Sequence, residues 1–256
     1  MTRDQIQTDA AVLGSILATD VEELNAAIWP WDVRMTQLGC RAFNSTIDFM
    51  QIRGLFLTFE KWSTSLAAEG SPPAGYLCFA GTCREPFVLC STTINHGAVV
   101  CENGGSSMEW VTPDNQIHWT LLVPHEQIIA CLGMEDAETI LSGCRTQSTD
   151  ARLVRKLRVT VSAALERFRT DPLLCADAHL VATLHAQLLD MVCDLLLCDK
   201  FGEIAGDEPG RRKAAKRAAR IAHELRVPVS VTELSKAVGI GRRSLELGFR
   251  ECFDVS

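Results

Sequence analysis

The chain has 256 residues, 47% of them apolar and 22% charged, and this balance is typical of folded globular proteins and excludes wholesale disorder and collagen-like repeats. Its length is enough for one large domain or two ordinary ones. No stretch reaches the roughly 18 uncharged apolar residues of a membrane-spanning helix, because Asp190 and Asp194 interrupt the best candidate. The N-terminus lacks the cationic start of a secretory signal. We therefore predict a cytoplasmic protein with no membrane partner.

The first 200 residues divide into three regions with different sequence patterns. Apolar residues at helical spacing in 1–25 predict an N-terminal helix or arm. Between about 35 and 123, short β-branched and aromatic segments alternate with Gly, Pro, Asn and Ser clusters, which predicts a β-barrel or sandwich. From 124 to 200, helical spacing predominates, most clearly at 149–169 and 177–197. The second of these helices is apolar around much of its circumference, so it packs on several neighbours or on a partner chain.

The net charge of −7 is divided unevenly between the two parts of the chain. The segment 201–210 carries three Gly, one Pro and three acids, which is typical of a linker. From 209 to 256 there are 11 basic and 5 acidic residues, a net charge of +6, whereas the first 208 residues hold 14 bases and 27 acids, a net charge of −13. A basic end on an acidic body is typical of a phosphate-binding segment, although a solvated helix face has the same composition.

Local rules after the linker agree on one supersecondary unit. A helix from about 211 to 226 has an Ala-rich apolar stripe opposite its bases. Ser230 and Glu233 have the spacing of a capping box that opens a second short helix, and Gly239 suits the turn that ends it. A third helix begins near Arg242. The pattern is therefore that of a helix, a tight turn and a further helix.

The last helix, about 242–252, has one apolar and one polar face. In helix-turn-helix proteins the second helix of the pair enters the major groove of DNA. There Arg side chains donate hydrogen bonds to guanine and Glu accepts one from cytosine. Hydroxyl groups at the start of the preceding helix can bind DNA phosphates. Double-stranded DNA is therefore the predicted partner, and a purely structural helical hairpin is the alternative. The predicted DNA-binding residues are Arg242, Arg243, Glu246, Leu247 and Arg250 on the last helix, together with Ser230 and Thr232 before it.

The segment VSVTELSKAVGIGRRSL at 229–245 closely resembles the first helix-turn-helix of the AraC/XylS family of transcriptional regulators. An upstream stretch is similar to the cupin-like sensor domain of the ethanolamine-utilisation regulators in that family. The residues that carry this second similarity are Gly104-Gly105, Glu109, Thr112-Pro113-Asp114 and Leu121-Leu122-Val123.

The resemblance implies a ligand-responsive transcription factor of α+β class that is usually dimeric, and we expect a homodimer that is not an enzyme and has no cofactor. It implies a cupin-like β-barrel or sandwich with following helices at 1–200, a linker at 201–210, and half of an all-α DNA-binding domain at 211–256. A linker helix and a second helix-turn-helix normally follow in the family. We therefore expect that the chain ending at Ser256 is truncated after the first helix-turn-helix.

A small-molecule effector is expected to bind inside the β region, because such sites favour the mouths of β-barrels. Aromatic side chains are the candidates for its lining, although ordinary packing explains each of them equally well. The sequence does not identify the effector. The candidate ligand-binding residues are Trp62, Tyr76, Trp110 and Trp119.

Two other functions stay open at this point. One is an interaction protein that dimerises with a full-length relative and prevents it from binding DNA. The other is a cupin-type metalloenzyme with His96, His118 and His125 as candidate ligands. Because no H-x-H pair occurs, we expect surface or packing histidines and no metal site.

The eleven cysteines are odd in number and include no C-x-x-C pair, which favours buried free thiols over disulfides.

Overall fold

The structure is a computed structural model that describes residues 10–28, 30–90, 92–142, 146–148, 150–198, 201–203, 210–225, 229–238 and 241–253. The chain divides into two compact units, residues 1–204 and 205–256, which we call the N-terminal unit and the C-terminal unit. Each has a hydrophobic core of its own. The predicted α+β class is confirmed.

Within the described residues, the strands of the N-terminal unit form two antiparallel sheets. The large sheet has the order β1-β3-β4-β11-β6-β9-β12-β13, and the small sheet has the order β2-β5-β10-β7-β8. The strands are β1 (Val12–Ala18), β2 (Asp32–Gln37), β3 (Ser45–Ile52), β4 (Leu55–Trp62), β5 (Leu66–Ser71), β6 (Tyr76–Thr82), β7 (Phe87–Leu89), β8 (Thr92–Ile94), β9 (Val99–Asn103), β10 (Met108–Thr112), β11 (Gln116–Pro124), β12 (Thr146–Ser148) and β13 (Phe201–Glu203).

Successive side chains along the central strands point to opposite sides, which gives the large sheet two different faces. On β11, Trp119 and Leu121 are fully buried in a core shared with helices. Their neighbours His118 and Thr120 lie on the opposite face and line a cavity together with residues of the small sheet. One face of the large sheet therefore packs on helices, and the other faces the small sheet.

The helices of the N-terminal unit are α1 (Val21–Ala27), α2 (His125–Leu132), α3 (Met134–Ser142), α4 (Ala151–Thr170) and α5 (Ala178–Leu196). The two long helices begin at aspartate caps, because Asp150 accepts hydrogen bonds from the first-turn amides of α4 and Asp177 does so for α5. Leu157 of α4 and Leu188 of α5 are fully buried in the core under the large sheet.

Among the described helices, α5 is long and apolar enough to cross a membrane by length and composition. In the structure it buries seven side chains, including Val181 and Val192 at 0% exposure, in the core of the N-terminal unit. The sequence left open whether this helix packs on several neighbours or on a partner chain. Its buried side chains pack on neighbours within the chain, which explains its apolar composition.

The expectation of a helix over residues 1–25 is wrong for the described part of that segment. Residues 12–18 form β1, which pairs with β3 along its whole length, and a helix begins only at Val21. The ladder hydrogen bonds of β1 outweigh its helical apolar spacing, because tertiary pairing overrides local propensity. Residues 1–9 lie outside the described residues.

The other end of the unit also differs from the expectation. Phe201–Glu203, which we expected in the linker, forms β13 and pairs with β12. Residues 204–209 lie outside the described residues.

The C-terminal unit contains α6 (Gly210–Leu225), α7 (Val231–Val238) and α8 (Arg242–Phe253). Ala215, Ala218, Leu234 and Leu245 form its buried core, with one or more residues from each helix. Helix α6 contributes only alanines to this buried core. Gly239, expected to end α7, lies outside the described residues, as do residues 226–228 and 240.

Gly81 makes room for the indole of Trp119, its cross-strand partner on β11. A Cβ atom at Gly81 would lie 2.7 Å from Nε1 of Trp119, which is fully buried and has no space to move. We expect Gly81→Ala to lower the free energy of unfolding by about 1–3 kcal/mol, the usual cost of overpacking, measured by urea unfolding followed by circular dichroism. At the exposed Gly97 the nearest atom to an added Cβ is 3.9 Å away. Gly97→Ala should therefore cost under about 0.5 kcal/mol, and equal losses in both variants would contradict this explanation.

Candidate ligand cavity and nucleic-acid interface

A cavity of about 450 Å³ lies between the large and small sheets of the N-terminal unit. This volume falls in the range of small-molecule sites, roughly 300–1,000 Å³. Most of the lining is apolar or aromatic and comes from strands of both sheets and from the end of α1. The polar or ionisable residues in the lining, apart from the cysteine and the tryptophans, are Gln51, Thr58, Glu60, Glu102, His118 and Thr120.

Strand register places four of these polar side chains together. His118 on β11 is the cross-strand partner of Glu60 on β4, and Thr120 is the partner of Thr58. Partners in adjacent antiparallel strands have Cβ atoms about 4.5–5.5 Å apart, and residues two apart on a strand share a face. We call Thr58, Glu60, His118 and Thr120 the polar corner of the cavity.

Glu60 accepts two hydrogen bonds within the polar corner. The hydroxyl of Thr58 donates to Oε1 at 2.6 Å, and that of Thr120 donates to the same oxygen at a weaker 3.5 Å. No described residue bonds Oε2. Burial raises the pKa of Glu60, and the two hydroxyl donors oppose this shift. Glu60 is nevertheless only half-buried by accessible surface, because its carboxyl group lines the cavity.

His118 is 4% exposed and lies between two aromatic rings. Its ring stacks on the indole of Trp62 with centroids 5.2 Å apart, and the tilted ring of Phe87 is 4.6 Å away. Burial lowers the pKa of His118 to about 3, so the ring is neutral at pH 7. Its Nε2 has no hydrogen-bond partner among the described residues. The polar corner therefore holds an unsatisfied nitrogen beside a carboxyl group with one unbonded oxygen.

The four aromatic candidates for ligand binding occupy different places. Trp62 and Trp110 line the cavity, and the indole N–H of Trp62 donates to the Thr112 hydroxyl at 3.0 Å. Trp119 lies on the opposite face of the large sheet, in the core with the helices. Tyr76, at the start of β6, is not among the lining residues, and burial together with the nearby Glu126 raises its pKa.

Sequence reasoning does not identify most of the polar corner. It considers His118 only as a metal ligand or a packing residue, and it does not single out Thr58, Glu60 or Thr120. The available signal is their period-2 spacing within otherwise apolar strands. A polar residue on the inner face of a covered strand needs a partner, so this spacing indicates either a buried network or a ligand site.

The three histidines considered as metal ligands lie apart. His96 contacts the guanidinium of Arg158 on α4, and His125 begins α2. In the described part of the chain, no group of three or more His, Cys, Asp or Glu side chains could hold a metal ion.

In the C-terminal unit, the capping box predicted at Ser230 and Glu233 is confirmed. The Ser230 hydroxyl accepts from the Glu233 amide at 3.2 Å, and a Glu233 carboxylate oxygen accepts from the Ser230 amide at 2.9 Å. Hydrogen bonds from the side chain and then the backbone of Ser230 lower the pKa of Glu233, and Lys236 adds to the effect. These bonds fix the start of α7, where Ser230 and Thr232 are exposed.

Helix α8 buries one side and exposes the other. Leu245 is fully buried, whereas Arg243, Leu247 and Arg250 are exposed. The Arg242 guanidinium donates to Glu246 Oε1 at 2.8 Å, and such exposed pairs one turn apart contribute only about 0.3–0.5 kcal/mol. Of the seven predicted DNA-binding residues, six are exposed and Glu246 is half-buried.

Comparison with known proteins gives a similarity of fold. No protein-family model matches the sequence, and a search of the curated proteins finds no match. The crystal structure of the AraC-like transcriptional activator CuxR has a TM-score of 0.57 and 13% sequence identity, over 93% of this chain and 89% of that one. The structure of unsaturated fatty acid bound wild-type ToxT from Vibrio cholerae strain SCE256 covers 92% of this chain and 78% of that one. Its 11% identity and TM-score of 0.29 are too low to indicate a common fold.

We expect the buried His118 to make the N-terminal unit less stable as the pH falls. Its folded-state pKa of about 3 lies below the ordinary value of 6.5, so between these values the unfolded chain binds a proton that the folded chain does not. The free energy of unfolding should therefore fall by about 1.4 kcal/mol per pH unit below pH ~6 on account of this residue. Urea unfolding of the wild type and of His118→Gln from about pH 7 to pH 5 measures the difference.

The contribution of Glu60 has the opposite sign, because its raised pKa lowers stability as the pH rises, but it is present in both proteins. The control is His179→Gln, which changes an exposed histidine and should keep the wild-type slope. A wild-type slope in His118→Gln would show that His118 is not the group responsible.

Proposed function

We propose that this chain is a ligand-responsive transcriptional regulator of the AraC type, and not an enzyme. In this proposal a small-molecule effector binds the cavity of the N-terminal unit, and the C-terminal unit binds double-stranded DNA. The observation that carries the proposal is that one chain combines a ligand-sized cavity with a separate compact unit of three helices that is basic overall and in which a capping box opens α7. A regulator needs both features, whereas neither an enzyme nor a scaffold does.

The charge distribution supports DNA as the partner of the C-terminal unit. Residues 205–256 carry 11 bases and 7 acids, a net charge of +4, against −11 for residues 1–204, so a polyanion is attracted to this unit and repelled by the remainder. A basic segment on an otherwise acidic protein also restricts nonspecific contact with DNA to one surface.

The exposed face of α8 supports its role as the reading helix. Arg243 and Arg250 project from the side opposite the buried Leu245, and neither forms an ion pair with a described residue. Arg242 and Glu246 hold each other, and either can exchange its weak pair for a contact to phosphate or base at small cost. The capping box that starts α7 sets Ser230 and Thr232 at the surface for phosphate contacts.

Regulation follows from a shift between two arrangements of the protein. An effector changes DNA affinity only by as much as it binds one arrangement better than the other. We propose that the chain acts in the cytoplasm as a homodimer formed through the N-terminal unit, with a sensor domain similar to that of the ethanolamine-utilisation regulators.

Charge reversal on α8 tests the DNA-binding role. We expect Arg243→Glu to weaken binding to a labelled duplex of about 30 base pairs by about ten-fold or more, and to reduce the slope of log K against log salt by about 1, because a cation near phosphate is replaced by an anion. Fluorescence anisotropy across a salt series measures both quantities, and sedimentation should show an unchanged oligomeric state.

Arg155→Glu is the matched control, since it makes the same charge change at an exposed position on α4 of the N-terminal unit. It should retain wild-type affinity. Equal losses in both variants would mean that net charge alone governs binding. A wild-type chain that dimerises without binding DNA would instead favour an interaction protein.

A further inference from the structure

The described residues that line the cavity of the N-terminal unit supply carboxyl groups and no cationic group. Among the described residues that line it there is no Lys or Arg, and the one histidine, His118, is neutral. The ionisable groups that remain are the carboxyls of Glu60 and Glu102 and the thiol of Cys78, whose pKa burial raises well above its ordinary value. An anionic ligand would therefore enter an apolar site without a counter-charge, at a high cost of desolvation.

Glu60 is the residue in the cavity that can bind the polar end of a ligand. Its Oε1 accepts both threonine hydrogen bonds, and its Oε2 has no partner among the described residues. A carboxylate in such surroundings is stabilised by an opposite charge, which also strengthens its hydrogen bonds. The second carboxyl, Glu102, lies on β9, three strands away from β4 in the large sheet, or about 14 Å at the usual strand spacing. The main chains of the two residues are therefore well separated, although both side chains line the same cavity.

The walls beside the polar corner also favour a cation. The rings of Trp62 and Phe87 pack on His118, the cross-strand neighbour of Glu60. The hydrogen bond from the Trp62 indole to Thr112 fixes the orientation of that ring. Aromatic faces carry negative potential and attract ammonium groups, most strongly away from water. The carboxyl group and the rings thus select for the same sign of charge.

The rest of the cavity selects for an apolar body. Side chains such as Ile16, Met35 and Met108 line it, and filling such a surface with hydrocarbon is favourable by about 25 cal/mol per Å² of apolar area removed from water. A small, strongly hydrated amine would leave most of this surface without contact. The ligand must therefore be amphipathic, with one polar end.

We infer that the cavity binds an organic amine whose ammonium group pairs with Glu60 and whose aliphatic or aromatic body fills the apolar part between the two sheets. This inference rests on the proposed function, in which the cavity holds the effector. It names the chemical class of that effector: an amphipathic cation rather than a fatty acid or another anion.

Three probes with the same body and different heads test the inference: 4-phenylbutylamine, 4-phenyl-1-butanol and 4-phenylbutyrate. Isothermal titration of the full chain at neutral pH should give the tightest binding for the amine, about ten-fold or more above the alcohol, because only the amine forms a charge-assisted pair. The carboxylate should bind weakest. In Glu60→Gln the amine should lose about ten-fold or more in affinity, while the alcohol keeps its own.

Retained binding of the alcohol by Glu60→Gln shows that the cavity of the variant is intact, and the ranking of probes on the wild type needs no variant. Glu69→Gln, which removes an exposed carboxyl from β5, should leave amine affinity unchanged. Tighter binding of the carboxylate or the alcohol than of the amine would overturn the inference and leave the cavity as the effector site. Binding of none of the three would overturn the inference and count against that effector role, whereas the DNA-binding role is decided by the charge-reversal experiment without any ligand.

Discussion

The pairing of β4 with β11 is the constraint on which both faces of the N-terminal unit depend. In this register, Glu60 opposes His118 and Thr58 opposes Thr120 on one face, while the intervening residues, such as Trp119, join the core on the other. If β11 slipped by one residue against β4, its two faces would be exchanged, placing the imidazole of His118 under the helices and the indole of Trp119 in the cavity. The large apolar core on the helix side therefore fixes the polar corner in place, although the polar corner itself contributes little favourable burial.

This arrangement explains why a destabilising group can persist in the middle of the sheet. A buried nitrogen without a partner and a buried carboxyl without a counter-charge each reduce stability. The core formed by the large sheet with α4 and α5 offsets these costs, because it buries most of the apolar side chains of the unit. Groups whose pKa values are shifted by burial, next to a cavity, are typical of binding sites, where a ligand supplies the missing partner.

Sequence reasoning predicts those parts of the structure in which local signals and tertiary context agree. The long helices α4 and α5, the capping box at Ser230 and the strand-rich region all carry such signals, since periodicity and capping are properties of short segments. It fails at β1, where strand pairing overrides helical spacing. It also cannot bring Glu60 next to His118, because these residues are far apart in the chain and meet only through sheet register. Because alternate residues of a strand face opposite sides, Trp62 faces the cavity and Trp119 faces the core, but this follows only once the pairing of the strands is known.

The position of β11 also limits how an effector could influence the rest of the molecule. The cavity lies on one face of the large sheet and helices α2–α5 lie on the other, so a ligand in the cavity reaches α4 and α5 through strands that present residues to both. Strand β11 does so along its length, and it runs directly into α2, where Gln127 bonds His185 of α5 at 3.0 Å. A tightly packed sheet transmits displacement rather than absorbing it, because its interior has few voids into which side chains can relax. If the proposed ligand pairs with Glu60, it contacts the strand neighbouring β11, whose His118 and Thr120 face the cavity and whose Trp119 and Leu121 face the helices, so β11 is the strand through which we expect ligand binding to influence helix packing.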